Sequence, residues 1–352
     1  MRLAVLGPSH HPVSEPFAGG QERFTADLVR GLRQRGHRTE LYALPGSDTA
    51  LADHLHLMPD LPELPGFAAT DPGSLETKSL HDQFAYVSAM RDLLQRNDID
   101  VILNESLHQL PLALSPLIKT PMVTTLHTPP SPWLGMGVCL AGGDNRFVSV
   151  SQALRAQWSA VADSHVIYNG VDADQFPVGA GGEGLLWVGR LTPDKGADIA
   201  VSVAAQANRE LRLAGPVSDP DWFAGVIRPK LGSSVCYLGP LRGAELADAY
   251  GTSAATLVTP RWEEPFCLVA VESQMCGTPV VGIRRGGLPE VVTRPGGVLV
   301  DPGPRVDSLL AEAICVATRF DRQDVAQHAR SRWSLSTMID HYERLCGQLR
   351  RQ

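Results

Sequence analysis

The sequence predicts an α/β protein made of two similar parallel-sheet domains that face each other across a cleft. Short apolar strands alternate with helix-period segments along the whole chain, the pattern of a parallel sheet wrapped by helices. At 352 residues the chain is too long for one ordinary domain and fits two, and 43% hydrophobic residues can fill two cores. A glycine-rich link at 179–182, Gly-Ala-Gly-Gly, separates the two strand series.

Taken in order, residues 3–7 read as the first strand and 20–35 as a helix that Gly36 ends. A strand at 39–43 leads into a proline-rich passage, 45–72, without clear periodicity. A helix from about 80 to 96 precedes the strand 101–104. Strands at 122–126 and 146–149 follow, with Ser151 as a helix N-cap, and 165–168 closes the first half. The second half places strands at 185–188, 211–214, 235–238, 256–258, 280–282 and 298–300, with helices between them. Residues 333–349 form a helix with an apolar stripe. In open sheets of this kind ligands bind at the carboxyl ends of the strands, so the loops after strands are where chemistry is expected.

Composition excludes several classes. Lys plus Arg total 31 against 38 Asp plus Glu, a formal charge of −7, which argues against a nucleic-acid binder. No apolar run is long enough for stable membrane insertion. The N-terminus enters a strand directly, without a signal-peptide pattern, and the six cysteines show no C-x-x-C or framework spacing. A reduced cytoplasm is the expected home. Lys78, Lys119, Lys195 and Lys230 are the only lysines, so a lysine inside a motif is not filler.

The most informative stretch runs from Pro260 to Gly282. Glu264 and Glu272 stand eight positions apart, with Pro265 and Phe266 after the first and an apolar helix-period run carrying the second. Proline is tolerated at a helix start, so the helix is expected to begin at 266–268, with Glu264 just ahead and Glu272 about two turns in. Free N–H groups between them make an anion site. A loop carboxylate for sugar hydroxyls, an N-terminus for phosphate and a helix carboxylate for ribose together describe a nucleotide-sugar site. These residues resemble the E-x7-E signature of retaining GT-B glycosyltransferases of family 4, with Cys267 where glycine is commonest. The resemblance implies a GT-B fold of two Rossmann-like domains: an acceptor-side domain at 1–170, braced by the returning helix 333–352, and a donor-binding domain at 171–332. It also implies donor contacts at Phe266, Cys267 and Leu268.

Other motifs agree. Val188-Gly-Arg190 and, after a short turn, Lys195-Gly196 aim two cations from a strand end, Arg suited to forked contact and Lys to a point charge. The segment resembles the family's G-R-x-x-x-x-K-G element, which implies diphosphate binding by Arg190 and Lys195. Gly19-Gly20 opens a helix after the first strand and exposes N–H donors. It lacks G-x-G-x-x-G and resembles the family's loop beside the transferred sugar. His127 ends the strand 122–126, where an imidazole can bond a sugar hydroxyl, and it matches the family's central histidine. Leu241 stands at the position that in the family usually brackets the base. The segment 284–290 resembles the family's G-G-x-x-E turn near the donor, where Glu290 either contacts the donor or only caps its helix. The D-x-D lookalikes at Asp98, Asp172 and Asp219 sit at a strand border or in turns. No metal or cofactor is required.

The expected activity is retaining, metal-independent glycosyl transfer from a nucleotide-diphosphate sugar, without a protein nucleophile. Acceptor candidates are small molecules, natural products and glycolipids, selected by segments 9–18, 45–72 and 129–136. A nucleotide-sugar epimerase and a non-catalytic nucleotide-sugar-binding protein are the alternatives. A glycosidase fits poorly, because its carboxylates must face each other across one bond.

Overall fold

The computed structural model describes residues 1–61 and 77–350. The first half contributes strands β1 (Arg2–Leu6), β2 (Arg38–Ala43), β3 (His54–Leu57), β4 (Val101–Asn104), β5 (Met122–Leu126), β6 (Asn145–Ser149) and β7 (Ser164–Val166). They form a seven-stranded sheet in the order β3-β2-β1-β4-β5-β6-β7. The second half contributes β8 (Leu185–Val188), β9 (Leu211–Ala214), β10 (Val235–Gly239), β11 (Ala255–Val258), β12 (Val280–Ile283) and β13 (Gly297–Val300). Their six-stranded sheet runs β10-β9-β8-β11-β12-β13. Every neighbouring pair is parallel.

The strands are near-continuous apolar runs because helices cover both faces of a parallel sheet. In β4, β5 and β11 every residue is buried. Strand order reverses between β1 and β4 in one sheet and between β8 and β11 in the other, so each sheet opens a crevice at its switch point.

The helix Leu335–Leu349 belongs spatially to the first sheet. Its Leu335, Met338, Ile339, Tyr342, Leu345, Cys346 and Leu349 pack into one core with Leu3, Val5, Leu28 and Leu32. That three-and-four spacing is one face of a helix. Ser334 caps it by accepting the Thr337 N–H at 3.2 Å, so the helix starts later than 333. The two chain crossings between the sheets are paired: the Val171 N–H donates to the Trp333 carbonyl at 2.8 Å and the Leu335 N–H to the Val171 carbonyl at 3.0 Å.

The short strand β3 lies inside the passage read as aperiodic. Its His54-Leu-His-Leu sequence borders only β2, and an edge strand need not be apolar. Residues 62–72 of that passage lie outside the described residues. The helix expected at 80–96 runs Thr77–Leu94.

Candidate active site

The two crevices meet in one cleft of about 540 Å³. Gly19, Gly20 and His127 line it from the first domain; Arg190, Lys195, Leu241, Glu264, Phe266, Cys267, Leu268 and Glu272 line it from the second. These site residues read from the sequence therefore line one cleft; Glu290, read beside them, does not.

On the second-domain side, Arg190 follows β8 and is exposed, its guanidinium without a partner among the described residues. The chain then makes a short turn, Pro193–Lys195, closed by Gly196 at φ +70. A side chain at 196 would be left-handed and would place its Cβ 2.0 Å from the Thr259 carbonyl, so glycine is required. That turn sets Lys195 Nζ 2.6 Å from Glu264 Oε1 and 4.4 Å from the centroid of the Trp262 ring. Trp262 Nε1 donates to the same Oε1 at 2.8 Å. Glu264 is buried, and the Gly286-Gly287 turn supports it from behind: the Gly287 N–H donates to its carbonyl at 2.6 Å. Gly286, at φ +55, passes so close that a Cβ would stand 2.2 Å from the Glu264 carbonyl oxygen.

The helix after Glu264 is Leu268–Met275, so Glu272 is its fifth residue, just over one turn in rather than two. Cys267 precedes it at φ +81, a left-handed backbone that explains why glycine is the usual occupant. Burial, with Glu264 adding to it, pushes the Cys267 thiol far up, away from the nucleophilic thiolate. The Phe266 ring is buried between domains, 5.8 Å from the Trp333 ring and 6.2 Å from Tyr168, which leaves its backbone for a ligand. Glu272 is buried and accepts the Tyr250 hydroxyl at 3.0 Å. Burial raises its carboxyl, opposed by the charge of Arg23 and the Tyr250 bond.

Arg23 comes from the first domain. It donates to Asp27 at 2.6 Å and to Gln175 at 2.8 Å, and it lies 5.6 and 5.5 Å from the rings of Phe17 and Phe176. It stands on the helix Gly20–Gln34, whose first residue opposes Leu268: a Cβ on Gly20 would be 3.5 Å from Leu268 Cδ1. Two helix N-termini, one from each domain, thus converge on the cleft, and each favours negative charge there.

His127 follows β5. Its Nε2 lies 2.7 Å from Glu105 Oε2, and Phe24 packs edge-on against the ring at 4.6 Å. Glu105, Arg23, Trp262 and Tyr250 have no motif spacing in the sequence; only their position after a strand or beside a motif hints at them. Glu290 does not line the cleft. It bridges the domains, accepting the N–H groups of Gln152 and Ala153 at 2.9 and 2.8 Å and the Tyr168 hydroxyl at 2.9 Å. Asp172 and Asp219 cap short turns, and Asp100 accepts the Arg2 N–H at 2.7 Å. Among the described residues no group of three or more His, Cys, Asp or Glu is placed to hold a metal ion. No helix among them is long and apolar enough to cross a membrane.

Two family models match the chain in succession, Glycosyltransferase Family 4 over residues 18–175 and Glycosyl transferases group 1 over 174–319. D-inositol 3-phosphate glycosyltransferase 2 of Catenulispora acidiphila is 28% identical, over 99% of this chain and 96% of its own. The glycogen synthase of Mycobacterium tuberculosis is 29% identical over 58% of this chain and 56% of its own. Among solved structures, AviGT4, a glycosyltransferase involved in avilamycin A biosynthesis, aligns with a TM-score of 0.71 at 23% identity, over 99% of this chain and 98% of its own. Anabaena HepE in complex with UDP-glucose aligns at 0.76 and 19% identity, over 99% and 100%. Sucrose-phosphate synthase from Thermosynechococcus elongatus aligns at 0.79 and 18%, over 99% and 98%.

Proposed function

Because the chain belongs to the glycosyltransferases of family 4 (group 1) and has their GT-B fold, we propose that it carries a sugar from a nucleotide-diphosphate donor to an acceptor hydroxyl with retention of configuration. The supporting observation is the convergence of Arg190, the Lys195–Glu264 pair and the start of the Leu268–Met275 helix on one cleft. In the transfer the bond from the anomeric carbon to the diphosphate oxygen breaks, and its electron pair leaves with the diphosphate. Arg190, Lys195 and the helix N–H groups meet the growing negative charge. The acceptor oxygen attacks from the same face, and its proton passes to the departing phosphate oxygen. Cations of the chain itself fill the role a divalent ion would have, so the reaction is metal-independent.

Glu264 Oε1 already accepts from Lys195 and Trp262, which leaves Oε2 for a sugar hydroxyl. Glu272, with Tyr250 beside it, takes the ribose hydroxyls. The UDP-glucose seen with HepE makes a UDP-sugar the first donor to try. The inositol-phosphate and avilamycin relatives favour a polyol or natural-product acceptor. All six cysteines are free thiols, in keeping with a cytoplasmic setting.

The test is transfer from UDP-glucose to a panel of polyol and natural-product acceptors, in excess chelator. NMR should show an α-linked product. A β-linked product overturns retention, loss of activity with rescue by manganese overturns metal independence, and donor turnover without any acceptor product overturns transfer.

A further inference from the structure

We propose that Glu105 is a positioning residue of this site, fixing His127 in the tautomer whose Nδ1 accepts a hydrogen from a hydroxyl of the bound sugar. The proposal rests on the glycosyl-transfer reading and names how one of its residues is set.

Glu105 directly follows β4 and is fully shielded from solvent. Its backbone is fixed on both sides: its N–H donates to the Leu6 carbonyl at 2.9 Å, and its carbonyl accepts the Gln21 side-chain amide. Gln21 is the residue after Gly20, so the loop at the start of the first helix is tied to the same point.

Both carboxylate oxygens receive donors from the neighbouring strand and the residue after it. Oε1 accepts the Thr125 hydroxyl at 3.0 Å, and Oε2 lies 2.7 Å from His127 Nε2. Thr125 Oγ1 is also 2.9 Å from the Tyr342 hydroxyl. A hydroxyl has one hydrogen. Thr125 directs its own to Glu105, so Tyr342 must donate to Thr125. The order of hydrogens runs from Tyr342 through Thr125 and ends at Glu105. A carboxylate only accepts, and His127 Nε2 therefore carries a hydrogen. Neutral imidazole has one N–H, which leaves the Nδ1 lone pair for a ligand. Phe24, edge-on at an interplanar angle of 68°, holds the ring plane. The opposite tautomer would present an N–H there and reverse the bond, the sugar hydroxyl accepting instead of donating.

Tyr342 stands on the helix Leu335–Leu349. The element that completes the first core therefore also supplies the first donor of this chain of hydrogen bonds.

The experiment uses protein labelled with 15N-histidine, with His127 assigned by loss of its signals in His127→Gln. In the wild type at neutral pH, Nδ1 should be unprotonated and Nε2 protonated. UDP-glucose should shift the Nδ1 signal and UDP alone should not. Glu105→Gln places an amide N–H2 where an acceptor stood, so the Nδ1–H form should appear. Its kcat/KM for transfer should fall about tenfold to a hundredfold, as for residues that orient a metal-bound histidine through its second nitrogen, while UDP binding should stay close to that of wild type. Tyr342→Phe keeps the Glu105–His127 bond and should keep the wild-type tautomer. A wild-type ring protonated on Nδ1, or unchanged kcat/KM in Glu105→Gln, overturns the proposal. If Glu105→Gln does not fold, the wild-type tautomer and the UDP-glucose shift decide it. A wild type that transfers no sugar, yet shows Nε2–H and the UDP-glucose shift, counts against the proposed function and not against this one.

Discussion

Lys195 and Glu264, one read for the diphosphate and the other for the sugar, are bonded to each other, with Nζ 2.6 Å from Oε1. The lysine ammonium is held between a carboxylate and the face of Trp262, 4.4 Å from the ring centroid. Cation and carboxylate are therefore placed before the donor arrives, and neither has to be ordered during the reaction.

This pairing separates the two cations. Lys195→Ala leaves the buried Glu264 carboxylate without its counter-charge, and stability should fall by about 3 kcal/mol, the low end for breaking a buried pair. Arg190→Ala removes an exposed, unpartnered side chain and should change stability by less than about 0.5 kcal/mol. Both should depress kcat more than donor affinity, because the charge they meet grows in the transition state. Urea unfolding alongside single-turnover kinetics reads the difference; equal stability of the two variants would contradict it.

Glu264→Gln keeps the shape and the Trp262 bond but loses the carboxylate acceptor. Sugar-donor binding should weaken by about 1–3 kcal/mol, the worth of a hydrogen bond to a charged group. Calorimetry should find UDP binding nearly unchanged. An equal loss for UDP and UDP-sugar would move Glu264 away from the sugar.

His108 supplies a pH dependence. Burial, with His10 acting the same way and Asp82 against them, lowers its imidazole from 6.5 to about 4. The native state thus prefers the neutral ring. Its stabilising share is complete above 6.5 and is lost as pH falls toward 4 and the unfolded chain takes up the proton first. The slope is at most about 1.4 kcal/mol per pH unit. His108 Nδ1 also accepts the Leu110 N–H at 3.2 Å as a helix cap, a role asparagine can fill. His108→Asn should therefore lose less stability than wild type between pH 6.5 and 4. Parallel unfolding curves for the two proteins would contradict this.

Glu290→Ala removes the acceptor that closes the Gln152–Trp158 helix from the opposite domain. Unfolding should show a loss of about 1–2 kcal/mol, the range of a helix cap. Small-angle scattering should show a larger radius of gyration, because these bonds join the two domains. No change in either measurement would mean that the Glu290 bonds do not contribute to holding the domains.

The strand–helix alternation made both sheets readable, since buried parallel strands need continuous apolar runs and leave little choice of sequence. β3 escaped because an edge strand of alternating His and Leu carries no such run. The donor side was readable because Glu264, Glu272, Arg190 and Lys195 sit on short contiguous motifs whose turns force glycine at Gly196 and Gly286. Glu105 was not, because a single carboxylate after a strand gains its meaning only when β5 and the helix Leu335–Leu349 bring Thr125, His127 and Tyr342 to it. The role of Glu290, open in the sequence between donor contact and helix capping, was not readable for a related reason. Its motif fixes the turn it stands on, while its partners Gln152, Ala153 and Tyr168 lie more than a hundred residues away and belong to the other domain.

The place of Leu335–Leu349 in the first core bears on how the chain is made. A ribosome releases residues in order, and domains usually fold as they emerge. Here the first sheet leaves the exit tunnel without the seven side chains of Leu335–Leu349 that complete the core around Leu3, Val5, Leu28 and Leu32, and they arrive only after the entire second domain has been synthesised. The nascent first half therefore exposes the kind of surface that chaperones bind, while residues 171–332 can condense around their own sheet before it.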